Sequence, residues 1–351
     1  MMKLAITADV HLTSGKEHLE RFNALEDIVN QIQEKGIYNL IIAGDVFDKN
    51  FTNYSEFENF AEKHYDTKFI IIPGNHDSQL KKSMMVQDNI KIIESPTFKN
   101  FSDDGFQFFF IPYHPEKNMG QIIAEYSDEL KKEQWILVSH GNWTGTMNEP
   151  NPNEPGTYMP LTKKVIEMYN PIKVILGHIH KVIKDEIVCY PGSPCGLNIN
   201  ETGRRYFNIL DDKTTNIEYK KVNTEVLYFN ETLTIIPVEN EEEFIQKQID
   251  NTIKKWNLYE EEKEKSIVRI KVYGVSSDKK TLKKVIRRSF SEFDLYDEID
   301  LTNVHLSDDF QLSDISNKVV DKIDEMEWSD WKHDPTKEEI IQEALKIVYG
   351  L

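Results

Sequence analysis

The chain has 351 residues, 39% hydrophobic and 11% aromatic, which is enough apolar material for a sizeable core and excludes a disordered chain. Its net charge of −18 is concentrated at the end: residues 291–351 hold 17 acidic against 5 basic side chains, leaving −6 on the first 290, so the total does not exclude a polyanionic substrate. Cys189 and Cys195 alone exclude a disulfide framework, and with no signal peptide and no membrane-length apolar run a cytoplasmic protein is predicted.

Residues 4–8 read as a short buried strand ending in Asp9-Val10-His11. A carboxylate and an imidazole two apart on extended chain reach one ion together. A helix is predicted over residues 16–35, with Leu19, Phe22, Leu25, Ile28, Val29 and Ile32 at helical spacing and Gly36 as its cap. The strand at 40–43 closes on Gly44-Asp45-Val46-Phe47-Asp48, where Gly44 lets the backbone turn and Asp45 stands at the tip. A second helix over 54–64 leads to Phe69-Ile70-Ile71-Ile72, a strand buried on both faces. It stops at Pro73-Gly74 and delivers Asn75-His76-Asp77. Three strand–turn–helix units in succession bring their tips to one edge of a parallel sheet, where such sheets place their binding chemistry.

Strands are predicted at 106–111 and 135–138, with a helix at 122–132 between them. The second ends in Ser139-His140-Gly141, and the loop over 142–160, rich in Asn, Pro and Gly, is long enough for a functional rim. A helix at 161–169 precedes the strand 174–176, which ends in Gly177-His178-Ile179-His180, two histidines on one side of the chain. Taken singly, each of these ends is an ordinary polar turn or cap. Five of them, each closing an apolar strand, are not a chance set.

Residues 216–222 and 225–229 read as closing strands of a first domain spanning 1–228. A small α/β unit over 229–308 follows, with strands at 232–237, 266–273 and 299–305 and helices at 241–256 and 278–290. The last helix carries Lys279, Lys280, Lys283, Lys284, Arg287 and Arg288 in one stripe opposite Leu282, Val285 and Ile286. That stripe reads either as a solvated face or as a phosphate-backbone track. Residues 309–351 read as two amphipathic helices. The first is capped by Ser313, with Ile315, Val319, Ile323 and Met326 on one face; the second opens at Asp334-Pro335, with Ile341, Leu345 and Val348 aligned. No Gly-x-x-x-x-Gly-Lys-Ser/Thr sequence is present, so any ATP dependence comes from a partner.

The five-part pattern resembles the calcineurin-type metallophosphoesterases, and within them the SbcD-type nucleases that work with SbcC-type ATPases in processing DNA breaks. Gly44-Asp45-Val46-Phe47-Asp48, Pro160-Leu161-Thr162, Gly177-His178-Ile179-His180-Lys181 and Tyr190-Pro191-Gly192-Ser193-Pro194 carry the likeness to that branch. The resemblance implies an α/β fold: a two-sheet sandwich flanked by helices, then a small α/β DNA-capping domain and C-terminal helices that bind the ATPase. It implies two divalent ions, with Asp9, His11 and His180 on one, Asn75, His140 and His178 on the other, and Asp45 bridging. Mixed imidazole, carboxylate and amide ligands suit manganese (Mn2+), with zinc or iron as the alternatives. His76 then stabilises the transition state or protonates the leaving oxygen. Asp48 and Asp77 orient His76 or the ligand histidines, or Asp77 serves as a turn residue. The implied partners are DNA, the ATPase and a second copy in a homodimer within a heterotetramer, without a membrane. A phosphoesterase for small phosphodiesters or phosphoproteins, and a scaffold that recruits an ATPase without hydrolysis, are the alternatives.

Overall fold

The computed structural model describes residues 2–15, 17–49, 51, 53–131, 133–145, 156–238, 240–307, 309–326 and 337–350. The chain divides into two units, Met1–Leu197 with Arg204–Glu225, and Asn198–Gly203 with Val226–Leu351. The division therefore falls at 225 where the sequence suggests 228, and six residues of the preceding loop go with the second unit.

In the first unit β1 (Lys3–Thr7), β2 (Asn39–Ala43) and β3 (Lys68–Ile72) pair in parallel, joined by α1 (Leu19–Glu34) and α2 (Tyr54–Lys63). β4 (Ile90–Ile92) extends that sheet. The chain then builds a second sheet from β5 (Thr97–Lys99), β6 (Gln107–Ile111), β7 (Trp135–His140), β8 (Lys173–Gly177), β9 (Ile183–Lys184) and β10 (Val188–Tyr190). Helices α3 (Met119–Glu125), α4 (Ser127–Leu130) and α5 (Lys163–Tyr169) connect these strands. β11 (Tyr206–Asp211) and β12 (Ile217–Lys221) return to the first sheet, β11 antiparallel to β1. The orders are β12-β11-β1-β2-β3-β4 and β5-β6-β7-β8-β10-β9, a two-sheet sandwich.

Alternation along the strands decides what fills the sandwich. Leu4, Ile6, Ile41, Ile70 and Ile72 of one sheet meet Phe108, Phe110, Ile136, Val138 and Ile175 of the other. The opposite faces take the helices: Phe69 lies against Phe57 and Phe60 of α2, and Phe109, Leu137 and Leu176 lie against Met119, Ile122 and Ile166. The helix expected over 122–132 starts earlier, at a capping box between Asn118 and Gln121, and breaks at Tyr126.

The second unit departs further from expectation. The polar stretch around Asn230 does not separate two strands; β13 (Leu227–Ile235) runs through it, paired in parallel with β14 (Ser266–Ser276) over nine residues. Leu227, Phe229, Leu233 and Ile235 are buried, and the residues at 230–232 lie half-buried between them. α6 (Glu241–Trp256), α7 (Glu260–Lys263) and α8 (Lys279–Ser289) follow. Two short strands, β15 (Asp294–Leu295) and β16 (Val304–Leu306), stand in place of one at 299–305. α9 (Ser313–Asp324) and α10 (Lys337–Tyr349) pack on β14, where Val275 meets Ile323, Ile341 and Leu345. Asp334 and Pro335 lie outside the described residues. Of the stripe expected on α9 only Ile323 is buried; Ile315 and Met326 are 51% and 54% exposed. No helix among the described residues is long and apolar enough to cross a membrane.

Candidate metal centre

All nine predicted site residues gather where the strands of both sheets end. Asp9 and His11 follow β1, Asp45 and Asp48 follow β2, Asn75 and His76 follow β3, His140 closes β7, and His178 and His180 follow β8. The turns are tight enough to force left-handed backbone at Asp9 (φ 54°), His11 (φ 49°), Asp45 (φ 51°) and His178 (φ 94°), conformations that cost non-glycine residues energy and cluster at functional sites. Two glycines make the approach possible. A Cβ on Gly44 would lie 2.0 Å from His140 Nδ1, and one on Gly74 would lie 2.1 Å from Asp45 Oδ1.

Two ligand groups share one wall. Asp9, His11 and His180 offer atoms within 4.8 Å of one another, and so do Asp9, Asp45 and His140. His11 Nε2 and His180 Nε2 are 3.2 Å apart, and Asp45 Oδ2 lies 3.7 Å from His11 Nε2 and 3.4 Å from His140 Nε2, so Asp45 faces both groups. Asn75 Oδ1 lies 2.8 Å from His140 Nε2 and 3.2 Å from His178 Nδ1. His140 Nδ1 donates to the Ala43 carbonyl at 2.9 Å, an arrangement that leaves the neutral ring with its Nε2 lone pair toward Asn75 Oδ1. Two acceptors at that separation need a proton or a cation between them. Asp9 Oδ2 is fully buried with no hydrogen-bond partner among the described residues. A buried carboxylate oxygen in that state fits a metal ligand.

The electrostatics point the same way. Burial raises the Asp9 carboxyl to about 6 against the opposing pull of His180 and His140. Burial lowers His11 to about 3, so its ring is neutral and ready to donate a lone pair. For His140, burial disfavours the charged ring, but the Asp45 carboxylate outweighs it and lifts the group to about 9. A cation entering here must displace the His140 proton below pH 9 and the Asp9 proton below pH 6. Metal affinity is therefore expected to rise with pH, by about tenfold per unit for each proton released. Calorimetric titration with Mn2+ at pH 6.5, 7.5 and 8.5 checks this; a pH-independent affinity would mean that the cation does not meet these groups.

His76 stands beside the candidate ligands, its ring centroid 4.5 Å from that of His11. Its Nδ1 is 3.3 Å from Asp48 Oδ1, and this hydrogen bond holds the Asp48 carboxyl well below the usual range. His11, Asp48 and His76 also form a third group within metal-ligating distance of one another. Asp77 meets backbone rather than histidine. Its oxygens accept from Gly74 N at 2.6 Å, Val46 N at 2.8 Å and Phe47 N at 3.1 Å, tying the Asp45 turn to the Asn75 turn. Sequence reasoning missed two buried arginines. Arg21 Nη1 donates to the His11 carbonyl at 2.6 Å and lies 3.6 Å from Asp48 Oδ2; Arg205 donates to the His180 carbonyl at 3.0 Å. The signal for Arg21 was available: it shares the apolar spacing of Leu25, Ile28 and Ile32 on α1. From the long loop, Tyr158 brings its ring centroid to 4.9 Å from that of His178; residues 146–155 of that loop lie outside the described set.

The family model for calcineurin-like phosphoesterases matches residues 2–182. The chain is similar to a probable cyclic nucleotide phosphodiesterase of Vesicomyosocius okutanii subsp. Calyptogena okutanii (strain HA), 25% identical over 206 residues that cover 54% of this chain and 84% of that protein. Among solved structures it is similar to an archaeal phosphodiesterase, with 18% identity, a TM-score of 0.34 and coverage of 63% of this chain and 100% of that one. It is also similar to a dimetal phosphatase of Danio rerio, with 11% identity, a TM-score of 0.41 and coverage of 63% and 96%.

Proposed function

The chain belongs to the calcineurin-like phosphoesterase family, and from that premise we propose that it is a two-metal DNA nuclease of SbcD type. It would act as an exonuclease on duplex ends and an endonuclease on single-stranded or hairpin DNA, beside an SbcC-type ATPase. The convergence of Asp9, Asp45, Asn75 and four histidines where the strands of both sheets end is the observation that carries the hydrolytic part. Asp9, His11 and His180 would hold one divalent ion and Asn75, His140 and His178 the other, with Asp45 between them. When bound, such ions supply Lewis acidity at the phosphate oxygens and activate water near neutral pH.

The chain's own residues do the rest. The Ala43 carbonyl and the Asp45 carboxylate orient His140. The His76 amide donates to Asp45 Oδ1 at 2.9 Å, which couples the bridging carboxylate to the histidine turn. Asp48, held ionised, accepts from His76 Nδ1 and leaves His76 Nε2 as the atom that hands a proton to the leaving oxygen. Arg21 keeps Asp48 and the His11 turn in register.

The second unit supports a nucleic-acid substrate. Along α8 a surface pocket of about 500 Å3 is lined by Lys279, Lys280, Lys283, Lys284, Arg287 and Leu301. Part of the stripe is neutralised, because Glu298 pairs with Lys283 and Arg287 and Glu242 pairs with Arg288. Lys280 and Lys284 are exposed and, among the described residues, in no ion pair. Exposed Ile315 on α9, Met326 just beyond its end and Ile347 on α10 suit helix-in-groove docking of the ATPase. The likeness to a probable cyclic nucleotide phosphodiesterase favours a second reading, hydrolysis of a small phosphodiester.

One experiment separates the two. Manganese-dependent digestion of linear duplex DNA, with and without the ATPase, is compared with cleavage of a chromogenic phosphodiester in wild type and in a Lys280→Gln/Lys284→Gln variant. The nuclease reading expects weaker DNA binding in the variant and a salt slope shallower by roughly 0.9 per lost contact, with the small substrate cleaved as before. Unchanged DNA affinity and slope, or no duplex digestion at all, favours the small phosphodiester.

A further inference from the structure

The first unit has a second concave site at the opposite ends of its strands. A pocket of about 380 Å3 opens where β2 and β3 begin, with Lys68, Lys91, Lys99, Tyr65, Phe101 and Asp88 on its wall. β3 runs from Lys68 at this pocket to Ile72, just ahead of the Asn75 turn, and its five residues span roughly 16 Å. The pocket is separate from the metal centre.

Its charge is unbalanced. Among the described residues none of the three lysines forms an ion pair, and Asp88 is the one carboxylate on the wall. Lys68 and Lys91 are exposed, so solvation accounts for each of them alone. It does not account for Lys99, half-buried with its Nζ 5.1 Å from the Phe101 ring centroid. Burial first, and then the charges of Lys91 and Lys68, push the Lys99 ammonium below its ordinary value. In a chain of net charge −18, three cations are held together against their mutual repulsion, and an anion relieves that repulsion. The wall also offers flat apolar surface. Tyr65 is 63% exposed and Phe101 lines the cavity while packing on the core between the sheets. Aromatic surface beside three ammonium groups that feel one another's charge suits a heteroaromatic base joined to a phosphate.

We propose that this pocket binds a nucleoside monophosphate, with the phosphate on Lys68, Lys91 and Lys99 and the base against Tyr65 and Phe101. The inference does not depend on the nuclease reading, because its test measures binding in chelator, where neither metal nor hydrolysis contributes. Full-length protein in EDTA is titrated calorimetrically with dAMP, deoxyadenosine and inorganic phosphate as separate probes. One dAMP site is expected, with each of the other two at least about tenfold weaker. Lys91→Gln, at an exposed position that leaves the fold intact, should weaken dAMP by about tenfold, as should Lys99→Gln. Tyr65→Ala should weaken it severalfold while leaving the phosphate term unchanged. Three results would overturn the proposal: no dAMP binding, phosphate binding as tightly as dAMP, or dAMP affinity unmoved in Lys91→Gln.

Discussion

Asp45→Asn is expected to remove at least one metal ion and abolish hydrolysis while leaving the protein folded. The substitution keeps shape and volume, so the strand end and turn remain. What changes is the atom at Oδ2, which faces His11 Nε2 at 3.7 Å and His140 Nε2 at 3.4 Å. An amide NH2 there presents hydrogens to the cations in place of a shared negative charge. Flipping the amide does not rescue the site, because Oδ1 must accept from the His76 backbone N–H at 2.9 Å, and a flipped NH2 would confront that donor. Outer-shell partners of metal ligands typically affect metal affinity about 10–100-fold, and a bridging carboxylate should exceed that range. Elemental analysis after dialysis and a chromogenic phosphodiester assay read the two effects. A variant with both ions and normal turnover would show that Asp45 does not stand between two metals.

Much of this centre was legible because each candidate ligand sits where an apolar run stops. β1, β2, β3, β7 and β8 are short, almost wholly buried segments, and a polar residue directly beyond such a segment can only lie at the sheet edge. α1 and α6 were legible for a related reason, since their buried positions recur at helical period. What remained hidden depends on distant partners. β4, β5, β9 and β10 are two or three residues long and exist only through pairing. β11 completes the first sheet by pairing Asn208 with Ile6, two hundred residues upstream, and nothing local announces that register. The same dependence on distant partners left the basic stripe open between a solvated face and a phosphate track. Its counter-ions, Glu242 and Glu298, come from α6 and from the segment after β15.

His76→Ala is expected to separate chemistry from metal binding. The side chain is partly buried, touches the His11 ring edge-on and is held by an ionised Asp48, so it is positioned without being needed to complete either ligand set proposed above. Its loss should leave both ions in place and lower kcat by about 10²–10⁴-fold, the usual range for a general acid–base group. KM for a small phosphodiester should move much less, and the limb of the pH–rate profile that reports the proton donor should disappear. Asp48→Asn is a milder form of the same lesion, because the amide retains an acceptor for Nδ1 but not the charge. A turnover intermediate between wild type and His76→Ala is therefore expected. The competing account is written into the same geometry, since His11, Asp48 and His76 themselves form a group able to hold an ion. Metal analysis decides between them. If one ion leaves with the His76 ring, this histidine is a ligand and the proton on the leaving oxygen must come from elsewhere.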